Sequence, residues 1–359
     1  MFGKVKRTLL ALAGLSLFAA ASFAAVQNSS PASEPDELIT TYSIVAYDPE
    51  TGDVGIAIAS RVFNVMSFYG KAGVGVIAMQ HSFAGQNLVT AVEGVQLMEL
   101  GFSAADSLEM LMSKDAGRKF RQMGAVDAKG GVAAHTGPEC TFYSGDRQGK
   151  HYSTQGNMLT GKETTDAMGD TFETTKGELA DRLMAALLKA DTVGGDARGK
   201  QSAALRIYRK GVAEDPSTTV GADVYPISYY IDLRVMDHEE PVRELNRLWQ
   251  KRKDYRLYGK AIRLAADARS DEAIAAGKEF VDRYPNESRA YEALGLVYYQ
   301  LGDKDEAIRW FREAASRNQR YEQLWQMRMK VIRDRTGTLG RFSHYFKDDP
   351  DFARRLFGK

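Results

Sequence analysis

Thr41 opens the first sharply patterned stretch of the chain, Thr41-Tyr42-Ser43-Ile44-Val45-Ala46, directly after a segment with the composition of a spacer. A threonine hydroxyl is a weak nucleophile until a base takes its proton. No side-chain base is evident beside it in the sequence. A cut before Thr41 would supply one, because the freed α-amine titrates near ~7.7–8.0. The chemistry open to such a hydroxyl–amine pair is attack on an amide carbonyl. On the residues alone, a plain strand-opening threonine accounts for the pattern more simply, since β-branched side chains suit strands.

Other chemical motifs fail on inspection. Gly194 to Gln201 reads G-x-x-x-x-G-K, but Gln201 stands where a phosphate-binding loop needs Ser or Thr. Gly73-Val74-Gly75-Val76-Ile77-Ala78 is a loose dinucleotide fingerprint inside an apolar strand pattern, with no helix opening from it. The histidines are His81, His135, His151, His238 and His344, and none has zinc spacing, so neither metal nor cofactor is implied. Cys140 is the only cysteine, so no internal disulfide forms, and it reads as a small half-buried residue. The 48 Lys and Arg residues nearly balance 47 Asp and Glu, which gives no basic face for nucleic acid.

The elements that must position Thr41 follow from periodicity. Thr41–Ala46 and Val54–Ser60 read as strands joined by a turn at Asp48–Asp53, and Ala72–Gln80 as another buried strand. Leu88–Leu100 and Ala104–Met112 have helical spacing, the second with Ser103 as N-cap. Gln122–Val126 and Val132–His135 form a hairpin, and His151–Gln155 adds a strand. Lys162–Thr174 and Glu178–Lys189 are helices, and Ser202–Tyr208 and Ser228–Val235 return to strand. Strands in blocks with hairpin links argue for mainly antiparallel sheets. Two stacked sheets with a helix pair on each outer side would bury every apolar face. Asp232 and Arg234 share one strand face and read as a structural pair.

The ends of the chain have their own signatures. Lys4, Lys6 and Arg7, the apolar run Leu9–Ala21, and small residues at Ser22 and Ala24 read as a cleavable signal peptide over 1–24. The run is too short to span a bilayer, so stable membrane insertion is not expected. Residues 25–40 read as a spacer or pro-segment, 41–239 as the α/β domain and 240–359 as a helical domain. In the last of these, Asp271-Glu272-Ala273-Ile274 recurs as Asp305-Glu306-Ala307-Ile308, a period of 34 that matches tetratricopeptide repeats. Leu294, Gly295, Tyr298, Ala307, Phe311 and Ala314 fit the second unit well. Such repeats point to an unidentified protein partner, and a homo-oligomer is left open.

Several blocks carry a resemblance. They are Thr41–Ala46, Ala59-Ser60-Arg61, Ala72-Gly73-Val74-Gly75, Val132–Gly137, Gln155-Gly156-Asn157-Met158-Leu159, Gly194–Asp196 with Arg198-Gly199 and Gln201–Leu205, and Asp232–Val235 with Asp237-His238 and Pro241-Val242. Over Thr41 to about Leu245 the chain resembles the bacterial family called domain of unknown function ten twenty-eight, of the Ntn-hydrolase superfamily. The resemblance implies an α+β fold, a four-layer αββα sandwich, here followed by the all-α repeat domain. It implies amide-bond hydrolysis with Thr41 as N-terminal nucleophile and names no substrate. Relatives typically begin Met-Thr, whereas forty residues precede Thr41 here.

Around Thr41 the expected helpers are Lys71, roughly where proteasome-like relatives place a lysine that lowers the nucleophile's pKa, and Asn157, an amide donor to an oxyanion from a tight loop. His81, His135, Asp196, Arg198 and Gln201 are the candidates for lining a substrate cleft. Each also has a structural reading: a strand-end lysine, a turn asparagine, satisfied histidines and a loop-ordering ion pair. The rival to hydrolysis is a non-catalytic scaffold that holds a partner on its repeats. Export to the periplasm or exterior is expected. Residues 1–30 fused to an alkaline phosphatase that folds only outside the cytoplasm should give active enzyme. Replacing Leu12 and Leu15 by Arg should abolish that activity, and a fusion indifferent to these changes would contradict the signal reading.

Overall fold

The computed structural model describes residues 41–80, 87–211, 229–318 and 349–357. The proposed signal peptide and spacer, and His81, lie outside them. Two compact units divide at 245/246. That is slightly later than the expected boundary at 239/240, within the helix that begins at Pro241.

The first unit contains ten strands and four helices among its described residues. The strands are β1 (Thr41–Tyr47), β2 (Val54–Ser60), β3 (Phe68–Lys71), β4 (Gly75–Gln80), β5 (Gln122–Asp127), β6 (Val132–Thr136), β7 (Tyr143–Gly149), β8 (Tyr152–Leu159), β9 (Ser202–Tyr208) and β10 (Tyr229–Val235). The helices are α1 (Asn87–Glu99), α2 (Ala104–Lys114), α3 (Glu163–Thr174) and α4 (Leu179–Val193). One antiparallel sheet has the order β10-β9-β2-β1-β8-β7 and the other β3-β4-β5-β6. Helices α3 and α4 pack on the first sheet, α1 and α2 on the second, and β1 and β2 face β4 and β5 between them. This is the expected αββα sandwich.

Two details differ from expectation. Ala72–Gln80 is not one strand: the chain turns at Ala72–Val74, with Gly73 at φ 71°, and Lys71 ends the short β3. Strand β7 went unexpected because Tyr-Ser-Gly-Asp-Arg-Gln-Gly carries little apolar patterning. It is an edge strand, where polar residues face water.

The two outer cores follow from alternation. On the four-stranded sheet Ile77, Met79, Met123 and Ala125 point to Val95, Leu108 and Met112 of the helices. Ser103 caps α2 in a capping box with Asp106, as its position predicts. Between the sheets, the inward positions divide by level. At one end Val45, Val54, Ile56, Ile58, Val76, Ala78, Val126 and Tyr208 form a dry cluster. At the other end, the same inward rows carry Thr41 and Ser43 of β1, Ser60 of β2, Gln155 and Asn157 of β8, Gln80 of β4 and Gln122 of β5. All of these are buried.

The second unit begins within α5 (Pro241–Ala266) and continues as α6 (Ser270–Arg283), α7 (Ser288–Gln300), α8 (Lys304–Ser316) and α9 (Pro350–Phe357). Helices α7 and α8 form the expected repeat pair. Gly295 lets them approach, since a Cβ there would meet the Phe311 ring at 3.1 Å. Phe352 of α9 packs its ring at a tilt on Tyr299 and edge-to-face on Phe311, and is buried with Phe311.

Gly124 on β5 shows how tightly the polar end is assembled. A Cβ at that position would meet Gln155 Oε1 at 2.0 Å. Gln155 is buried and held by Ser43 and Ser153 (2.6 and 2.9 Å), so it cannot swing away without losing both bonds. Gly124→Ala should therefore destabilise the protein by about 1–3 kcal/mol, read as a lower urea midpoint. An unchanged midpoint would contradict this packing.

Candidate functional site

Strand β1 is central and paired on both sides, so the phase of its two ladders fixes what surrounds Thr41. Its inward residues are Thr41, Ser43 and Val45. Tyr42 faces the opposite way and donates its hydroxyl to Asp191 of α4 (3.2 Å). Burial, with Asp191 beside it, holds the Tyr42 hydroxyl proton on well above the usual tyrosine range.

On the β2 side, Tyr42 pairs with Ala59, which places Thr41 opposite Ser60. The Asp48 amide donates to Asp53 O at 2.9 Å, which sets the phase of hydrogen-bonded pairs. Alternation makes Thr41:Ser60 a non-hydrogen-bonded pair, the kind in which side chains approach most closely. Accordingly Thr41 Oγ1 donates to Ser60 Oγ at 3.2 Å. On the β8 side, Thr41 pairs with Asn157. The Tyr47 amide donates to His151 O at 2.8 Å, and counting up the ladder by twos makes Thr41:Asn157 a hydrogen-bonded pair. The Thr41 main-chain nitrogen thus faces β8 and its hydroxyl sits against Ser60.

Asn157 lies in a strand and not in the expected tight loop. The chain bends immediately after it: Met158 has φ 48°, a left-handed conformation costly for a non-glycine residue. Met158 is held there by hydrogen bonds with Thr141 O (3.2 Å) and the Ala197 amide (3.0 Å). Asn157 Nδ2 donates to Gln122 Oε1 across the sheets at 2.8 Å. Gln122 Nε2 in turn donates to Gly156 O (2.7 Å) and lies 3.2 Å from both Gly145 O and Thr136 Oγ1. Gln80 Nε2 reaches Gln155 O at 3.4 Å.

The other sequence candidates divide. Asp196 is brought to the rim of this end. Its carboxylate accepts from the Arg61 amide (3.1 Å), one residue after Ser60, and from the Arg198 amide (2.9 Å) and guanidinium (3.1 Å). Leu159 forms a β-bridge with Asp196, and Arg61 Nη1 donates to Arg198 O (2.5 Å). Asp196 and Arg198 therefore order the loop that joins the ends of β2 and β8. Gln201 does not join the inward layer: its amide donates to Asp237 Oδ1 (3.2 Å) and its carbonyl accepts from the His238 amide (2.9 Å).

Lys71 and His135 are corrections. Lys71 pairs with Gly75 at the far end of β4 from Gln80. Five residues of strand put it roughly 17 Å from the Thr41 level, and it is half exposed and ion-paired with Glu99. It cannot tune Thr41. His135 pairs with Met123, so it shares that residue's outward face and lines a groove against Leu108 and Met112 of α2. Its Nε2 lies 2.9 Å from Arg118 O. The sheet itself separates it from Thr41. Asp232 and Arg234 pair as expected, joined by Arg206. Burial opposes the charge on Asp232, but the two guanidiniums hold its carboxyl below the usual range. Burial pushes the Cys140 thiol up to about 11, which leaves it protonated and a poor nucleophile.

The residues missed from sequence are Ser60, Gln80, Gln122 and Gln155. Their signal was present: amides and hydroxyls at inward positions of otherwise apolar strands.

Over residues 41–245 the chain matches the model described as "Family of unknown function (DUF1028)". The chain belongs to the DUF1028 family. A tetratricopeptide repeat model matches 288–321, the α7–α8 pair. A crystal structure of a DUF1028 protein from Silicibacter pomeroyi is 29% identical, with TM-score 0.50, over 59% of this chain and 88% of that one. No curated protein matches. Within this DUF1028 domain, Asp196 is the carboxylate on which the rim loop depends. Asp196→Asn removes one acceptor oxygen and the charge, so trypsin should cut after Arg198 or Lys200 faster than in the parent. Equal cutting rates would contradict the ordering role.

Proposed function

We propose that the DUF1028 unit is an exported Ntn-type amidohydrolase, with Thr41 as nucleophile and its own α-amine as base. The observation that supports this most is the placement of Thr41. It is the first residue of the central strand, with its hydroxyl turned into the polar end of the inter-sheet layer and its nitrogen toward β8.

The chemistry would run as follows. After cleavage of the 40–41 bond, the α-amine takes the Oγ1 proton and Oγ1 attacks a substrate carbonyl carbon. The tetrahedral intermediate collapses as the protonated amine returns its proton to the departing nitrogen. Water, activated by the same amine, then hydrolyses the acyl ester and regenerates Thr41. Desolvation in the buried layer lowers the proton affinity of an amine, which favours the unprotonated form that the first step needs. Amide N–H groups in the layer, among them the second N–H of Asn157 Nδ2, are suited to a developing oxyanion.

A second reading rests on a separate observation. The repeat at 288–321 is of a type that binds proteins, and Thr41 is fully buried while peptide-linked. In that reading the DUF1028 unit supports a partner-binding domain and does no chemistry, as a monomer or a homo-oligomer. Kinetics on a panel of acyl amides separates the two. With protein beginning at Thr41, Thr41→Ala should lower kcat/KM by roughly a hundredfold or more while unfolding changes by about 1 kcal/mol. Thr41→Ser should retain measurable turnover. Hydrolysis equal in parent and Thr41→Ala, or none in the parent, would leave the scaffold reading standing.

A further inference from the structure

The orientation of the Asn157 side chain is settled by main-chain atoms. Gln122 has two carbonyl oxygens, Gly156 O and Gly145 O, on one side of its amide, and these can only accept. Nε2 must therefore face them, which turns Oε1 toward Asn157. Oε1 can only accept, so Asn157 must present Nδ2 to it, at 2.8 Å. The remaining oxygen, Asn157 Oδ1, is fully buried and has no hydrogen-bond partner among the described residues. A buried acceptor left unmade is unfavourable, and such groups point to a donor that the site is built to receive.

The strand register says which donor. Asn157 is the direct cross-strand partner of Thr41, in the pair whose main-chain nitrogen faces β8. While Thr41 is peptide-linked, that nitrogen has one N–H, which the ladder directs to the main chain of Asn157. Cleavage of the 40–41 bond gives it up to two more. We infer that Asn157 Oδ1 accepts a hydrogen bond from the Thr41 α-amine, and that Gln122 is the positioning residue that holds Asn157 in the required orientation. The inference rests on the proposed reading of Thr41 as an N-terminus. It assigns the Asn157 oxygen an acceptor role, beside or in place of the donor role expected from sequence. The nucleophile would then be held from both neighbours: its hydroxyl by Ser60 on β2 and its amine by Asn157 on β8.

Among the described residues, the groups facing this point are mostly uncharged. From β2 comes Ser60, from β8 Gln155, from β4 Gln80 and from β5 Gln122. Among the described residues, the charged groups at this end include Asp146 of β7, which Thr136 reaches through a hydrogen bond (2.7 Å), the Asp196–Arg198 pair at the rim, and Arg61. A change of proton affinity at the amine on altering Asn157 therefore reports mainly on the Asn157 contact.

The test is a titration that needs no substrate. A protease site placed before Thr41 in the full chain gives protein beginning at Thr41, and 13C-threonine NMR follows the α-amine through pH. An accepted hydrogen bond favours the charged ammonium, so Asn157→Ala should weaken proton binding by about three- to tenfold. Gln122→Ala should shift it in the same direction. Adding Gln122→Ala to Asn157→Ala should change nothing further, because Gln122 acts only through Asn157. A merely structural Gln122 would instead add its own effect. Asn157→Asp keeps the side-chain shape and places an anion beside the amine, so proton binding should strengthen. This variant carries the test if the alanine variants do not fold.

An amine whose titration is the same in the parent, Asn157→Ala and Asn157→Asp overturns the inference, as does an additive double variant. If these shifts occur in protein that hydrolyses nothing, the amine site stands and the hydrolase reading falls. If hydrolysis is present and the shifts are absent, the Asn157 inference alone fails.

Discussion

The pairing of β1 on both edges is the constraint from which the rest of this site follows. A central strand cannot slip by one residue without turning its whole inward row outward. Here Val45 is locked into the dry cluster between the sheets, and Tyr42 is buried on the helix side. With those two fixed, Thr41 has no choice of face. Its hydroxyl must enter the inter-sheet layer, and its nitrogen must face β8. The Thr41–Ser60 bond and the Asn157 pairing are consequences of that phase.

The division of the inter-sheet layer into a dry end and a polar end has an energetic meaning. Buried amides and hydroxyls stabilise little beyond what they cost to desolvate, and each one left unpaired is unfavourable by about 1–3 kcal/mol. An apolar filling like that around Ile56 and Val76 would hold the two sheets together with less demand on geometry. The polar end instead links them through Gln122 to Asn157, and through Gln80 to Gln155. It also keeps a left-handed Met158 next to Asn157. A polar network, an orphaned acceptor and backbone strain coincide where the central strand begins. That coincidence is the pattern expected where stability has been exchanged for function.

Much of this was legible in the sequence, and the limits of legibility are physical. Block order of strands and helices led to the αββα layers because each apolar face had to find a partner. The 34-residue spacing led to the α7–α8 pair. Thr41, Asn157 and Asp196 were singled out by their places in the blocks that carry the family resemblance, since on residue type alone each has an ordinary structural reading. Lys71 and His135 were misplaced for a different reason. Position along a strand says little about which end of the sheet or which face a residue occupies, until the register is known. Lys71 fell at the wrong end because only the register shows that the Gln80 end of β4, and not its start, lies at the Thr41 level, and His135 fell on the wrong face by a single step of the alternation. Gln80, Gln122 and Gln155 were overlooked because each is ordinary alone, and only the stacking of two sheets brings them to one level.

The central claim is that Thr41 is the N-terminus of the working protein. N-terminal sequencing of the mature protein, purified from the organism that makes it, tests this most directly. The account predicts a sequence beginning Thr-Tyr-Ser-Ile-Val. A sequence beginning near Ala25, with Thr41 inside an intact peptide, would remove the base and contradict it.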